Sequence, residues 1–548
     1  MVECITGPRC TVRPQVMHIS SRERLLFILF ALVGAYLITR GLVGGPGFTD
    51  VFYHLNAANR LVTGRGLTDP YLWTYIGAPD YLPAPSHLYW MPLTTLSAAL
   101  GMGLLNAPGS YPAAQWPFTL MFGGTVYIGF WLGARLGKSH RHAWVAGLLT
   151  LFGGFYTRFW GAIDTFAPYA FFGSLCLVFL ALVFESLLST RRSLVYGSLG
   201  GACAALAHLT RADGILFLIV GWAAIVWLLL FRKEILQGKI GNLVAIGIAM
   251  TVAYAVIMLP WFARNLSAIG TIMPLGGTQT IWLASYDDLF KFPPDNSVDS
   301  LFAEGAGAFL ASRWEAITNN IGTFIAVEGL VVMTPLMLIG LWQRRHQTFL
   351  CPFWLYALGL HLAMTFVFPF PGYRGGLLHS AAALVPWWAV LGVVGLDDVI
   401  EWVARRRRRW NANTAKKVYS TGLVGVAVLL SIMIGLPNRV VPQASSTFHT
   451  SLRDKLPPDA RVMINDPAQL YYFTGLGGVV LPNEQPNVIP EIARTYGVKY
   501  LVLEGITSDG LSSIAMPTPL LTILSSPPDF LTPIPFDIPG ARLYEIHY

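Results

Sequence analysis

Charge is what this 548-residue chain has least of: 12% of its residues are Asp, Glu, Lys or Arg, against 54% that are hydrophobic. So charge-poor a composition, with a mean hydropathy of +0.54, excludes a disordered chain and an ordinary soluble globule. Cysteine is scarce too. Cys4, Cys10, Cys176, Cys203 and Cys351 lie in the amino-terminal tail or in or beside apolar runs, so neither a disulfide framework nor a zinc-ligand spacing can be read. There is no internal repeat, and the one low-complexity tract, Arg405 to Arg409, reads as a topogenic anchor. The first apolar run follows a polar lead and has no small-residue cleavage site after it, so it reads as a signal anchor rather than a signal peptide. A net charge of +8 invites a nucleic-acid reading. In a chain this apolar, basic residues mark cytoplasmic loops instead, and no nucleic-acid partner is expected.

What the sequence does have is apolar length. Runs suited to crossing a bilayer occupy roughly 25–45, 113–135, 142–157, 166–188, 193–209, 213–231, 240–262, 321–342, 350–368, 376–395 and 418–436. About eleven transmembrane helices are therefore expected. With the amino terminus inside, the inner segments hold Arg9, Arg13, Arg22 and Arg24, then Arg135, Lys138 and Arg141, then Arg191 and Arg192, then Arg232, Lys233 and Lys239, then Arg344 and Arg345, and finally Arg405 to Arg409 with Lys416 and Lys417. The outer loops hold far fewer, and the bias alternates as the positive-inside rule requires. Parity then decides the ambiguous stretch Met91 to Asn106. If it crossed, the basic segments downstream would move outside, so it is expected to lie along the outer surface.

The chain thus divides into a cytoplasmic tail (1–24), a transmembrane domain (25–436) and an extracytoplasmic α/β domain (437–548). Within the second, residues 46–112 form a first outer loop with two surface helices, and 264–320 form a second, lid-like outer loop. In the tail domain Arg461 to Asp466, Gly478 to Leu481 and Lys499 to Leu503 read as buried strands, with a helical stretch near Val488 to Tyr496.

Parity also places Asp50, Asp164 and Arg211 on one side of the membrane. Asp50 follows the first span in Phe48-Thr49-Asp50-Val51-Phe52-Tyr53-His54, where Thr49 is a candidate helix N-cap and the helix dipole would favour an ionised Asp50. A carboxylate where lipid meets water can take a proton from an acceptor or hold a metal against a phosphate. Asp164 precedes a later span and could equally be a helix cap. Two carboxylates on one face could share a divalent cation such as Mg or Mn, although no spacing motif demands one. Arg211, in His208-Leu-Thr-Arg211-Ala-Asp213, reads either as a structural pair with Asp213 or as a fork for a phosphate. Arg264 and Arg374 also sit at outer span ends, where a snorkelling anchor is the plainer reading. Histidines such as His54, His87 and His379 usually complete a local hydrogen bond. Glu328, within an apolar span, marks a cavity or a function.

With these residues in place, the chain resembles the GT-C superfamily of polyprenyl-phosphate-sugar-dependent glycosyltransferases, in the bacterial branch of protein O-mannosyltransferases and aminoarabinose transferases. The resemblance lies in Thr49-Asp50-Val-Phe-Tyr53-His54, Asp164, Leu209-Thr-Arg211-Ala-Asp-Gly214, Pro260-Trp-Phe-Ala-Arg264-Asn265, Tyr373-Arg374-Gly and the tail motifs Asp459-Ala-Arg-Val462 and Asp466-Pro467. It implies an inverting transfer from a polyprenyl-phosphate sugar to a glycan, protein or lipid acceptor. Asp50 then stands where the family has its base and Asp164 where it has a second acid. Arg211, Arg264 and Arg374, with Tyr53, His54 and His87, would face the donor or its phosphate. Where the family often has His-Pro-Pro-Leu, this chain has His87-Leu-Tyr-Trp-Met-Pro92-Leu93, and the tail has no Trp-Trp-Asp of the oligosaccharyltransferases. The alternative from another class is a non-enzymatic lipid-sugar transporter or flippase. That reading would lead us to expect repeated halves and ionisable residues at mid-membrane, whereas no repeat is visible and most of the candidate charges gather at one surface.

Overall fold

The computed structural model describes residues 17, 19–186, 189–232, 240–407, 409–442, 445–505 and 517–548. Residues 1–16 and 18 of the tail, with Cys4, Cys10, Arg9 and Arg13, lie outside the described residues, as do Lys233, Lys239 and Arg408.

Helices follow the apolar runs. In chain order they are α1 (Ser21–Leu42), α2 (Thr49–Val62), α3 (Leu93–Leu104), α4 (Tyr111–Gly137), α5 (His140–Leu151), α6 (Phe166–Glu185), α7 (Thr190–Thr210), α8 (Ile215–Phe231) and α9 (Ile240–Ile269). There follow α10 (Gly305–Thr323), α11 (Thr334–Arg344), α12 (Cys351–Leu362), α13 (Val385–Ala404) and α14 (Ala412–Gly435). In α1, Phe27, Ala31 and Ala35 pack inward at a spacing of four, while Leu25, Leu29, Val33 and Leu37 stay exposed on the outside. That is the pattern of a helix whose outer face meets lipid rather than water.

Among the described residues, eight helices are long and apolar enough to cross a membrane, and the chain is a multi-pass membrane protein. Three of the eleven expected spans fall short of that measure. Helix α5 has only 12 residues. Helix α7 carries Arg191, Arg192 and several glycines, which lower its hydropathy but let neighbours come close: a Cβ on Gly201 would lie 2.0 Å from the Met250 carbonyl oxygen of α9. The 321–342 stretch is interrupted between α10 and α11, where Leu330 (φ 44°) and Val331 (φ 61°) turn left-handed.

The bundle has two distinct ends. At one, ion pairs link the helix termini: His140 to Glu23, Arg135 to Glu185, Arg141 to Asp397, Arg344 to Asp398 and Lys416 to Glu401. At the other end lie the first loop and the tail domain. There the end of α1 meets the chain leaving α14 through a bridge between Val43 and Val440. Helix α3, in the stretch that parity kept out of the membrane, is about 18 Å long, too short for a hydrocarbon core of about 30 Å. It packs against α2 and α4.

The tail domain is an α/β layer containing α15 (Thr447–Lys455), α16 (Pro467–Thr474) and α17 (Ile489–Tyr496). The three strands read from the sequence appear as Arg461–Ile464, Gly477–Val480 and Tyr500–Glu504, joined by Leu531–Ile534 and Ala541–Ile546. The first loop adds one more. Numbered through the chain, β1 (Thr68–Asp69) pairs with β3 (Ala84–Pro85), while β2 (Tyr71–Leu72) joins the tail sheet β4 to β8 in the order β2-β5-β4-β6-β8-β7. The β2–β5 pairing is parallel, Tyr71 opposite Gly478 and Leu72 opposite Val479. Strand alternation then gives two buried faces. Val462, Ile464, Val502 and Leu543 line one of them. On the other, Leu72, Tyr75 and Leu82 of the first loop pack with Met463, Leu501 and Tyr544.

The second loop is less open than the expected lid. Helix α9 runs on to Ile269, and the last part of the loop, from Gly305, belongs to α10. Between them a capping box of Ser285 and Asp288 fixes the turn Tyr286–Phe290. Thr74 Oγ1 donates to the Leu289 carbonyl at 2.6 Å and Asn483 N–H to that of Phe290 at 2.9 Å, fastening the turn between the first loop and the tail domain.

Candidate active site

Helix α2 begins at Thr49, and Phe48 is its N-cap with no side-chain hydrogen bond. The expected Thr49 cap is therefore not formed. Its hydroxyl instead donates to Asp466 Oδ2 of the tail domain at 2.7 Å, which leaves Asp50 as the second residue of the helix. Burial pushes the Asp50 carboxyl above its usual range, opposed by the Trp90 hydrogen bond and by Arg211. Trp90 Nε1 donates to Asp50 Oδ1 at 2.5 Å.

Asp164 lies just before α6 and is 1% exposed. Its Oδ1 accepts the Thr165 N–H at 2.6 Å, as at a helix start. Its Oδ2 is buried without a hydrogen-bond partner and lies 3.7 Å from His379 Nδ1. His379 itself shares a 2.7 Å hydrogen bond with Thr165 Oγ1 and stacks on Phe166. Burial first, and then the charge of Asp50, push the Asp164 carboxyl up to about 8. The two acids act on each other, and Arg211 acts on both. Asp50, Asp164 and Arg211 thus lie near enough to feel one another's charge.

Arg211 ends α7 in an extended conformation. Its Nε donates to Asp213 Oδ1 at 3.1 Å and to Ser380 Oγ at 3.0 Å, while the Ser380 hydroxyl also donates to Asp213 Oδ2. The structural pair with Asp213 and the phosphate fork are thus compatible. Asp213 holds one edge of the guanidinium, and both terminal nitrogens remain for a ligand.

The other named residues separate into a buried network, in which His54 Nε2 and Asp69 Oδ1 keep no hydrogen-bond partner, and a rim. Tyr53, 3% exposed, donates to Asp69 Oδ2 at 2.8 Å and accepts the His87 N–H at 2.6 Å. Thr95 Oγ1 lies 2.9 Å from both His54 Nδ1 and His87 Nε2, and Ser86 Oγ lies 2.7 Å from His87 Nδ1. Both imidazoles are fully buried, which pushes His54 down to about 3 and His87 well below the ordinary histidine range. Burial thus disfavours the charged form of both rings, and each is engaged by Thr95. Arg264 is spent as well: it donates to the carbonyls of Ser86 at 2.9 Å and Leu67 at 3.3 Å and to Asn265 Oδ1 at 3.0 Å. This network supports the site from behind, because Tyr53 stacks on Trp90 with ring centroids 4.1 Å apart. Arg374 is exposed at the rim, its guanidinium carbon 5.2 Å from the ring of Tyr286, whose hydroxyl feels the charge of Asp50.

Trp90, Asp213 and Ser380 complete the arrangement. The sequence reading names Asp213 only as a structural partner of Arg211 and assigns no role to Trp90 or Ser380. Among the described residues no group of three or more His, Cys, Asp and Glu side chains gathers as a metal site. Asp50 and the unpartnered Asp164 Oδ2 nevertheless fit a hard cation that takes its remaining oxygens from phosphate and water.

No protein-family model and no curated protein matches the sequence. Solved structures do. The archaeal oligosaccharyltransferase AglB from Archaeoglobus fulgidus, in complex with an inhibitory peptide and a dolichol-phosphate, superposes with a TM-score of 0.57 at 12% identity over 87% of this chain and 69% of that one. ArnT from Cupriavidus metallidurans, bound to undecaprenyl phosphate, gives 0.53 at 14% identity over 96% of this chain and 98% of that one. Both are GT-C glycosyltransferases. The chain has the GT-C fold. The likeness is one of architecture, and it extends over the first loop and the tail domain as well as the helices, since the match to ArnT spans nearly the whole of both chains. Within that GT-C fold the carboxylate pair and Arg211 lie at the bundle end covered by the first loop and the tail domain.

Proposed function

We propose that this chain is an integral membrane glycosyltransferase that moves a sugar from a polyprenyl-phosphate-linked donor to an acceptor at the outer face of the membrane, with inversion. The observation that carries the reading is the meeting of Asp50, Asp164 and Arg211 at one end of a GT-C bundle. The structures of AglB with dolichol-phosphate and of ArnT with undecaprenyl phosphate support a lipid phosphate as the donor's carrier. The asymmetry of basic residues between the two bundle ends supports the outer placement of the site and of the tail domain.

In this reading Trp90 occupies Asp50 Oδ1 and leaves Oδ2 for the proton of an acceptor hydroxyl. The acceptor oxygen attacks the anomeric carbon on the face opposite the phosphate. The bond from that carbon to the phosphate oxygen breaks, its electron pair stays on the oxygen, and polyprenyl phosphate leaves. Arg211, held by Asp213 and Ser380, meets the charge that develops on the leaving group. Asp164 keeps a proton near neutral pH unless positive charge is brought to it, so that a single carboxylate serves as base. Asp50 and Asp164 would hold a divalent cation such as Mg or Mn, which when bound supplies positive charge to phosphate oxygens.

The test is transfer itself. Purified protein in lipid nanodiscs is incubated with a set of polyprenyl-phosphate sugars and extracted membrane acceptors, with and without EDTA, and the added mass is detected. Transfer from at least one donor, lost in Asp50→Asn, is expected. No product from any donor would sink the enzyme reading and favour a lipid-sugar transporter.

A further inference from the structure

Between α11 and α12, with neither Asp50 nor Asp164 in its lining, a side-opening groove of about 880 Å³ is cut into the surface of the bundle. Its size is within the roughly 300–1,000 Å³ usual for ligand sites. Leu338, Trp342, Trp354 and Leu358 line its length, and Phe324, His361 and Trp388 close its inner end. Trp342 and Leu358 are 64% and 55% exposed, on a face continuous with the exposed apolar sides of the helices. In water such a face would be a liability. In a bilayer it is a seat for chains.

Where the chains lie follows from the polar groups. Glu328, behind the inner end, is fully partnered: Trp388 Nε1 donates to Oε2 at 2.8 Å and His361 Nε2 lies 3.0 Å from Oε1. The other nitrogen of His361 lies 2.7 Å from the Ala357 carbonyl oxygen. The inner end therefore offers no unmet donor or acceptor to a headgroup, and it suits hydrocarbon. The outer end carries charge instead. Exposed Arg345 lies with its guanidinium carbon 4.1 Å from the centre of the Trp342 ring, next to His346. Arg232 reaches the same corner, donating to the His346 carbonyl at 3.2 Å. Arg344, by contrast, is bound twice by Asp398 and is not part of this mouth.

Depth decides the class of lipid. From Cys351, beside the charged mouth, to His361 the helix rises about 15 Å, half of a hydrocarbon core of about 30 Å. The groove is one leaflet deep. We propose that it is a specific site for an anionic phospholipid of the leaflet opposite the carboxylate pair, with its phosphate on Arg345 and its acyl chains over Trp342, Trp354 and Leu358. Basic residues at the inner ends of membrane helices attract such headgroups.

The experiment does not involve sugar transfer, so its result is independent of the proposed activity. Delipidated full-length protein in detergent is titrated with phosphatidylglycerol and with phosphatidylcholine of identical chains, and bound lipid is counted by native mass spectrometry. Phosphatidylglycerol should bind about fivefold to tenfold more tightly, and the preference should vanish in Arg345→Glu but persist in Arg406→Glu, an exposed site outside the groove. Leu358→Trp, which fills the groove without touching the mouth, should weaken both lipids. Equal binding of the two lipids by the unaltered protein, or a preference that survives Arg345→Glu, would overturn the proposal. Thermal melting of each variant in the same detergent separates loss of the site from loss of the fold.

Discussion

Trp90 Nε1 donates a 2.5 Å hydrogen bond to Asp50 Oδ1, and behind it the Trp90 ring is stacked on Tyr53. The acid of α2 is thus set by an indole from the far side of the first loop, and that indole by a buried tyrosine. Such a bond favours the ionised carboxylate, against a burial that disfavours it.

If Asp50 is the base, Asp50→Asn should lower kcat by about 10²- to 10⁴-fold with little change in the KM for donor. Trp90→Phe keeps a ring on Tyr53 but removes the donor. Asp50 should then hold its proton to higher pH, and the acid limb of the kcat/KM profile should move upward. A profile unmoved in Trp90→Phe would mean that the Asp50 carboxylate does not control it.

Arg211 is a phosphate fork only while one edge of its guanidinium is held, and Asp213 and Ser380 hold it. Asp213→Asn and Ser380→Ala should therefore raise the KM for the lipid-linked donor by about tenfold or more, as expected for lost hydrogen bonds to a charged group. Activity towards different acceptors should fall by the same factor. Arg211→Lys keeps the charge but loses the fork, and should sit nearer to Arg211→Ala than to the unaltered enzyme. Steady-state kinetics with donor and acceptor varied in turn would check this; a rise confined to the acceptor KM would contradict it.

Asp69 lies outside the catalytic pair, in the network behind it. Burial pushes its carboxyl from 3.8 up to about 7, with Tyr53 as its hydrogen-bond donor. A raised acid favours the folded state in its protonated form. That contribution is complete below the unfolded value of 3.8 and is lost as pH rises through about 7. The melting temperature of the protein in detergent should accordingly fall across that window. Asp69→Asn, which keeps an acceptor for Tyr53 and cannot ionise, should flatten the slope; an equal slope in the two proteins would assign the pH dependence to another group.

The convergence of Asp50, Asp164 and Arg211 was legible because topology needs only counts of lysine and arginine between apolar runs. So were the strands around Val462, Val479 and Leu501, whose apolar runs are bounded by turn residues. Strand β8 alternates in Ala541-Arg-Leu-Tyr-Glu-Ile546, but it follows a proline-rich stretch, and prolines argue for loops. Tyr71 and Leu72 could not be read as a strand, since two residues have no period. Ser380 is a small residue in an apolar helix, which ordinarily marks close packing. The inward turn of His54, His87 and Arg264 escaped for a related reason. Polar residues near an interface pair with whatever burial leaves beside them, here a threonine and two backbone carbonyls, and no sequence spacing records that.

The strand supplied by the first loop makes the tail domain depend on the membrane domain. Leu72 and Tyr75 fill the same core face as Met463 and Leu501, and the Tyr75 hydroxyl donates to the Val480 carbonyl at 2.5 Å. Residues 437–548 expressed alone would leave that apolar face and the β5 edge open to water. They should bind hydrophobic dyes, self-associate and melt at far lower temperature than the tail does within the full chain. Gly478→Ala tests the same seam in the full chain, because a Cβ there would lie 1.8 Å from the Val462 carbonyl oxygen and must part β4 from β5. The cost should be about 1–3 kcal/mol or more, and because Thr49 is bonded to Asp466 just beyond β4, activity should fall along with stability. Limited proteolysis would report it as faster cleavage near both Leu72 and Gly478. Cleavage confined to the tail would show that the first loop holds its place without the sheet.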